Sequence, residues 1–281
     1  MKLATLRRSG ATVAARLDGD TYTEIGAYSD LGALLAEENW RDIAAAAEGP
    51  QVPASEAELA AVVPDPSKVL CVGLNFRSHI EEMGRELPEY PTVFAKFADT
   101  LTGPGDSVDY VGDDAQMDWE GELVVVVGRT AYQVDEAGAA DCIAGYTVAD
   151  DISMRGWQYR STEWLQGKIW ARSTPVGPVM VTPDEFDPRN ATLHTTVNGE
   201  TMQKHGLSDL LFEPAHLVSY LSTMLPLRPG DLILTGTPGG VGRARTPEVY
   251  LKAGDVVEVA IDGIGVVSNA IVTPDGGASR S

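Results

Sequence analysis

Apolar residues run unbroken through positions 123–127 and nearly so through 69–72, 143–148 and 176–181. These stretches lack strict polar alternation, the pattern of strands buried on both faces. Positions 193–197, 231–235, 256–261 and 264–268 read as further strands bounded by turn residues. Near the start, segments 3–6 and 12–17 flank Arg8-Ser9-Gly10 as a hairpin, and Asp18-Gly19-Asp20 turns the chain into a third strand over 21–25. Helical periodicity is scarcer. It predicts helices over 31–38 with Asp30 as N-cap, then over 40–47, 78–84, 134–142 and 215–224. Strands do not alternate with long helices, which argues against a doubly wound sheet or a (β/α)8 barrel. The expected class is mainly β with some helix (α+β). Pro64-Asp65-Pro66 reads as a linker that separates a small N-terminal module, residues 1–65, from a larger domain, residues 66–281.

Charge narrows the function. Acidic residues outnumber basic ones 41 to 21, a formal net charge of -20. Such a surface repels nucleic acid and anionic membranes, so neither is an expected partner. It also repels an anionic substrate, whose site must reverse the field locally with a cation. Cys71 and Cys142 are the two cysteines, each in an apolar stretch, and fit core thiols in a reducing cytoplasm. No apolar run reaches bilayer length, so a soluble, cytoplasmic protein is expected.

Candidate chemistry concentrates in Asp118-Trp119-Glu120-Gly121-Glu122. On a strand Glu120 and Glu122 share a face, at the mouth of the apolar run 123–127. Buried there, they need protonation, basic partners or a divalent cation, while an exposed strand end is the competing reading. A second acidic pair, Asp150-Asp151, ends the run 143–148. One can join the site while the other caps a following short helix. Three carboxylates offer only oxygen donors, a set that favours Mg2+ or Mn2+, admits Ca2+ and disfavours Zn2+. His79 and Glu82 lie three apart and share a helix face, a spacing that suits an oriented general base but also an ordinary surface pair. Gly-x-Ser-x-Gly, His-Glu-x-x-His and Walker motifs are absent, so a serine nucleophile is not expected.

The runs Val69-Leu70-Cys71-Val72-Gly73-Leu74-Asn75-Phe76, Asp118-Trp119-Glu120-Gly121-Glu122-Leu123, Ala144-Gly145-Tyr146-Thr147-Val148 and Leu234-Thr235-Gly236-Thr237-Pro238-Gly239-Gly240-Val241-Gly242 occur in this order. Together, over about 68–271, they resemble the fumarylacetoacetate hydrolase family. The resemblance implies a mixed β-sandwich roll, a homodimer and an Mg2+ or Mn2+ site on Glu120, Glu122 and Asp151. It also implies a His79–Glu82 pair that activates water, Lys168 facing the substrate, and Asn75, Arg155, Gln158 and Thr237 as substrate contacts. One departure is Ile169-Trp170-Ala171-Arg172-Ser173, where many relatives carry a Ser-Phe-Asp-like sequence; Arg172 reads as a carboxylate anchor or a surface residue.

The activity this implies is metal-dependent hydrolysis of a carbon–carbon bond in an acylpyruvate, a small anionic 2-oxo acid, as in aromatic-compound catabolism. The N-terminal segments are similar to those of bacterial members assigned to fumarylpyruvate cleavage. The alternatives are oxaloacetate decarboxylation, isomerisation or decarboxylation of a muconate-type diacid, and non-catalytic capture of a 2-oxo acid.

Overall fold

Turn chemistry sets the first strands. In the computed structural model, which describes residues 1–82, 84 and 86–274, β1 (Lys2–Arg8), β2 (Ala11–Asp18) and β3 (Thr21–Glu24) form an antiparallel meander. The side chains of His79 and Glu82 lie outside the described residues. Ser9 and Gly10, at φ 44° and 87°, give the two left-handed positions of a two-residue hairpin turn. Two short helices follow, α1 (Leu31–Leu35) and α2 (Trp40–Ala45), and then β4 (Gln51–Pro53). Asp30 caps α1 as expected, accepting from the Ala33 amide at 2.9 Å.

Past residue 65 come β5 (Val69–Gly73), α3 (Arg77–Glu82) and β6 (Thr92–Lys96), then the two-residue strands β7 (Leu101–Thr102), β8 (Val108–Asp109) and β9 (Met117–Asp118). The central hairpin is β10 (Gly121–Val127) and β11 (Ile143–Asp150), with α4 (Glu136–Ala140) between them. After it come β12 (Ser153–Met154), α5 (Arg155–Gln158), α6 (Leu165–Lys168) and β13 (Thr174–Val181). The remainder is β14 (Thr192–Val197), β15 (Glu200–Gly206), α7 (Pro214–Met224), β16 (Leu232–Leu234), β17 (Val256–Ile261) and β18 (Gly265–Val272). All eight strands expected in this part are present within a few residues. β6, β15 and the two-residue strands were not anticipated.

The main sheet runs β4-β3-β2-β1-β13-β11-β10-β16-β5-β6, with β7 attached to β13. It is mixed: β16 and β5 are parallel, and their neighbours on this path are antiparallel. A second sheet, β15-β14-β17-β18-β8, packs against it through β13, β11 and β10. Residues 1–65 join the main sheet where β1 pairs β13, so one sheet crosses the boundary expected near residue 65.

β10 is buried on both faces, as its unbroken apolar run predicts. Leu123, Val125 and Val127 enter one core with Leu193, Val259 and Ile261 of the second sheet. Val124 and Val126 enter another with Leu31, Leu34, Trp40 and Val62 on the opposite face. Every residue of β10 is buried, and each large apolar side chain contributes about 1.5–3 kcal/mol. The fold is mainly β with peripheral helices, and among the described residues no helix is long and apolar enough to cross a membrane.

Candidate metal centre and active site

Gly121 explains the spacing of the two glutamates. A Cβ there would sit 2.4 Å from Thr195 Oγ1 and 2.8 Å from Val259 Cγ1, so only glycine lets the second sheet approach this closely. Alternation along the chain then sends Glu120 and Glu122 to the other side. Asp151 follows β11, and its amide donates to the Glu120 carbonyl at 2.9 Å. The result is a cluster in which carboxylate oxygens of Glu120, Glu122 and Asp151 lie within 4.8 Å of one another. All three are buried, so the reading of solvated surface glutamates falls away.

Basic side chains pair with two of the three. Lys168 Nζ reaches Glu120 Oε2 at 2.5 Å and Asp151 Oδ2 at 2.8 Å, while Lys96 Nζ meets Asp151 Oδ1 at 2.6 Å. Arg155 binds Glu120 at 2.6 Å and Asp118 at 2.8 Å, and its third nitrogen donates to Gln158 Oε1 at 2.8 Å. Glu122 has no basic partner among the described residues; its Oε2 accepts from the Gly236 amide at 2.7 Å. Burial, then the charges of Asp151 and Glu120, push its carboxyl well above the usual range. Burial would also raise Asp151, but Lys168 and Lys96 outweigh it and hold that carboxyl low. Lys168 is driven up, against burial, by Asp151 and Glu120 and stays charged.

Charge counting decides whether a cation fits. Around the cluster, five buried carboxyl groups (Asp118, Glu120, Glu122, Asp150, Asp151) face three buried cations (Lys96, Arg155, Lys168), so two carboxyls, Glu122 and Asp150, lack a basic partner among the described residues and are driven toward the protonated form unless a cation is present. Asp150 Oδ2 has no hydrogen-bond partner. A divalent cation would let both carboxyls ionise, and an all-oxygen donor set suits Mg2+ or Mn2+. The residues present therefore fit the group.

Asp150 departs from expectation. It does not cap a helix, because the chain returns as strand β12. Its Oδ1 instead accepts from the Glu120 amide at 2.8 Å and fixes the turn that carries the Glu120 carboxylate. Burial pushes it up to about 7, more than that hydrogen bond lowers it, and the Asp151, Glu120 and Asp118 charges add to the rise.

A cavity of about 640 Å³ opens over the cluster, lined by Glu120, Glu122, Arg155, Gln158, Lys168 and Thr237 among others. Thr237 Oγ1 accepts from Gln203 Nε2 at 2.8 Å, which leaves its own hydroxyl hydrogen for a ligand. Asn75 is placed differently from the contact role expected of it. It is fully buried, donates to the Phe212 and Thr235 carbonyls and accepts from the Phe212 amide at 2.7 Å. It holds the Gly-rich turn after β16 and lies outside the cavity lining. Arg172 is a surface residue, 60% exposed and 3.4 Å from Asp106. The helix α3 that carries His79 and Glu82 is present, but their side chains are outside the described residues. A larger cavity of about 840 Å³ beside α2 contains none of these residues, so the chemistry is assigned to the smaller one.

Lys96, Asp118 and Gln203 were missed in the sequence. Asp118 also accepts from the Gly242 and Arg243 amides at 2.6 and 3.1 Å and so ties the Gly-rich turn to Arg155. Gln203 binds the Gly121 amide at 3.1 Å and Thr237 from the second sheet. The signal for Lys96 was the short run Thr92-Val93-Phe94-Ala95-Lys96, which ends on the site.

Known proteins give the same picture. The family model described as fumarylacetoacetate hydrolase C-terminal matches residues 68–272. The oxaloacetate tautomerase Fahd2a, mitochondrial, of Rattus norvegicus is 39% identical over 231 residues, 82% of this chain and 74% of its own. A solved fumarylacetoacetate hydrolase from Exiguobacterium antarcticum is 30% identical with a TM-score of 0.86, covering 97% of this chain and 99% of that one. A maleylpyruvate hydrolase from Sphingobium sp. SYK-6, in complex with manganese(II) and pyruvate, is 25% identical with a TM-score of 0.82 over 97% of this chain and 99% of that one. The ordered motifs, the shared architecture and a match across most of the chain make this protein a member of the fumarylacetoacetate hydrolase family.

Proposed function

We propose that the protein is a divalent-cation-dependent enzyme that interconverts the keto and enol forms of a 2-oxo dicarboxylic acid of the oxaloacetate type. The observation that carries this reading is the buried Glu120–Glu122–Asp151 cluster, in which Glu122 has no basic partner among the described residues, with Lys168 beside it. Likeness to an oxaloacetate tautomerase over 82% of the chain supports the choice of reaction. Glu120, Glu122 and Asp151 would hold the cation, which supplies Lewis acidity to a 2-oxo oxygen in the cavity. Lys168 keeps a fixed positive charge at the same place, where negative charge develops as the C3–H bond breaks and its electron pair forms the C2–C3 double bond. The oxygen then takes a proton, so the tautomers exchange without gain or loss of atoms. His79, three residues before Glu82, is the proposed proton carrier at C3. Thr237, whose oxygen accepts from Gln203, would donate its hydroxyl hydrogen to the substrate carboxylate. Arg155 and Gln158 line the cavity; Arg155 braces Glu120, and Gln158 accepts a hydrogen bond from Arg155.

Hydrolysis of an acylpyruvate, the activity expected from the sequence, is the second reading. The maleylpyruvate hydrolase with manganese and pyruvate favours it, and so does the His79–Glu82 spacing, which suits activation of water. One assay separates the two. Protein loaded with Mn2+ or Mg2+ should speed the loss of enol absorbance from oxaloacetate beyond the metal ion alone. Release of fumarate from fumarylpyruvate, with no effect on oxaloacetate, would move the assignment to the hydrolase. Neither activity would overturn both. A homodimer is proposed from the family and tested by sedimentation. A cytoplasmic location is proposed from two buried free cysteines, although the rat relative is named as mitochondrial.

A further inference from the structure

Three cations line the cavity over the carboxylate cluster: Arg155, Lys168 and Arg243. The first two are buried and committed to Asp118, Glu120 and Asp151. Arg243 is the lining cation, among the described residues, that is not held by a buried carboxylate. Its side chain is 40% exposed, and its ion-pair partner is Glu248, 3.9 Å away and 46% exposed. That is a loose pair in water, which a better-placed carboxylate can displace.

The position of Arg243 is nevertheless fixed. Its backbone amide donates to Asp118 Oδ2 at 3.1 Å, on the carboxylate that also holds Arg155. Its guanidinium lies over the ring of Tyr159 at 4.3 Å, and Tyr159 lines the same cavity at the end of α5. The guanidinium edge meets the Tyr250 hydroxyl, itself bonded to Glu248 at 2.6 Å, and an incoming carboxylate would exchange with this solvent-facing pair and bind the fork through two parallel hydrogen bonds.

From this geometry we infer that Arg243 is the specificity-determining residue that receives the distal carboxylate of a dicarboxylic 2-oxo acid. The inference rests on the proposed function, in which the 2-oxo acid end sits at the Glu120–Glu122–Asp151 cluster. The far end of a short diacid then lies toward the mouth of the cavity. On a chain of net charge -20, a second carboxylate there needs a local cation, and Arg243 supplies it. The competing seat is the apolar wall of Leu74, Phe94 and Trp164, where Gly73 makes room for the Trp164 ring. A substrate tail seated on that wall would be indifferent to Arg243.

Pyruvate and oxaloacetate differ by the distal carboxylate, so their dissociation constants on the Mn2+-loaded protein give the test. Arg243→Gln should weaken oxaloacetate by about 10-fold and leave pyruvate within about 2-fold, with Arg243→Lys between wild type and Gln. Equal shifts for both ligands, or none for either, would overturn the assignment. Turnover of oxaloacetate by the wild type reads the proposed function separately. An inactive wild type that still shows the Arg243-dependent difference in affinity would sink the reaction but keep the subsite. A wild type that binds neither ligand would sink both.

Discussion

At the scale of single residues, Glu122 shows the tension between stability and function. Glu120 and Asp151 are each held by two basic groups, whereas Glu122 is equally buried and has no such partner among the described residues. A buried acid of this kind destabilises the metal-free fold and persists where a ligand needs it. Glu122→Gln keeps the size and the acceptor for the Gly236 amide. It should therefore raise the stability of the metal-free protein by about 1–2 kcal/mol while weakening Mn2+ binding by an order of magnitude or more. Melting curves in chelator and calorimetric titration with Mn2+ check the two halves. A variant that melts lower and binds Mn2+ as before would show that Glu122 is a structural group. The Glu120–Glu122 pair was legible because alternation on a strand needs only neighbouring residues, whereas the choice of Asp151 over Asp150 came from the family resemblance. Lys96 and Asp118 were not legible, because each reaches the site through contacts 55 and 37 residues away in the chain.

At the scale of elements, long apolar strands declared themselves and short mixed ones did not. β10 and β11 are buried at every position, so composition alone marks them. β6 has one fully buried residue in five, Lys96, and β15 is mostly polar, so both were hidden until their partners were known. What clamps the elements together is also specific. Arg7 of β1 reaches Asp106, in the loop between β7 and β8, at 2.6 and 2.8 Å and also binds the Leu59 carbonyl. Burial pushes the Asp106 carboxyl up, but hydrogen bonds from Arg7, Thr102 and the Gly103 amide outweigh it and hold it at about 2, against 3.8 in the unfolded chain. Because the folded value is the lower one, the contribution is complete above about pH 4 and is lost as pH falls through 2. Arg7 is 36% exposed, so solvent screening limits the clamp to about 1–2 kcal/mol. Asp106→Asn should cost that much at pH 6, and the gap from wild type should close between pH 4 and 2 in denaturant titrations. A gap that stays constant with pH would assign the loss to packing instead of charge.

At the scale of the whole molecule, the first 65 residues and the catalytic segment share one sheet and one core. The family model begins at residue 68, and Pro64-Asp65-Pro66 looks like a joint, yet β1 hydrogen-bonds to β13 directly across it. Leu3, Leu31, Leu34, Trp40 and Val62 cover the face of the sheet that carries Val124, Val126 and Met180. Val124 and Val126 lie on β10, shortly after Glu122, so the N-terminal segment supports the backbone that aims the Glu122 carboxylate into the cluster. Each large apolar side chain stripped of its cover loses about 1.5–3 kcal/mol, and several at once exceed the stability of an ordinary domain. Removal of residues 1–65 would also open the β13 edge of a wide sheet, an invitation to strand pairing between molecules. The truncated chain is therefore expected to aggregate in size-exclusion chromatography and to lose its cooperative melt together with Mn2+ binding. If residues 66–281 instead run as a single sharp species with wild-type Mn2+ affinity, the N-terminal segment is an accessory, and the carboxylate cluster depends on the catalytic segment alone.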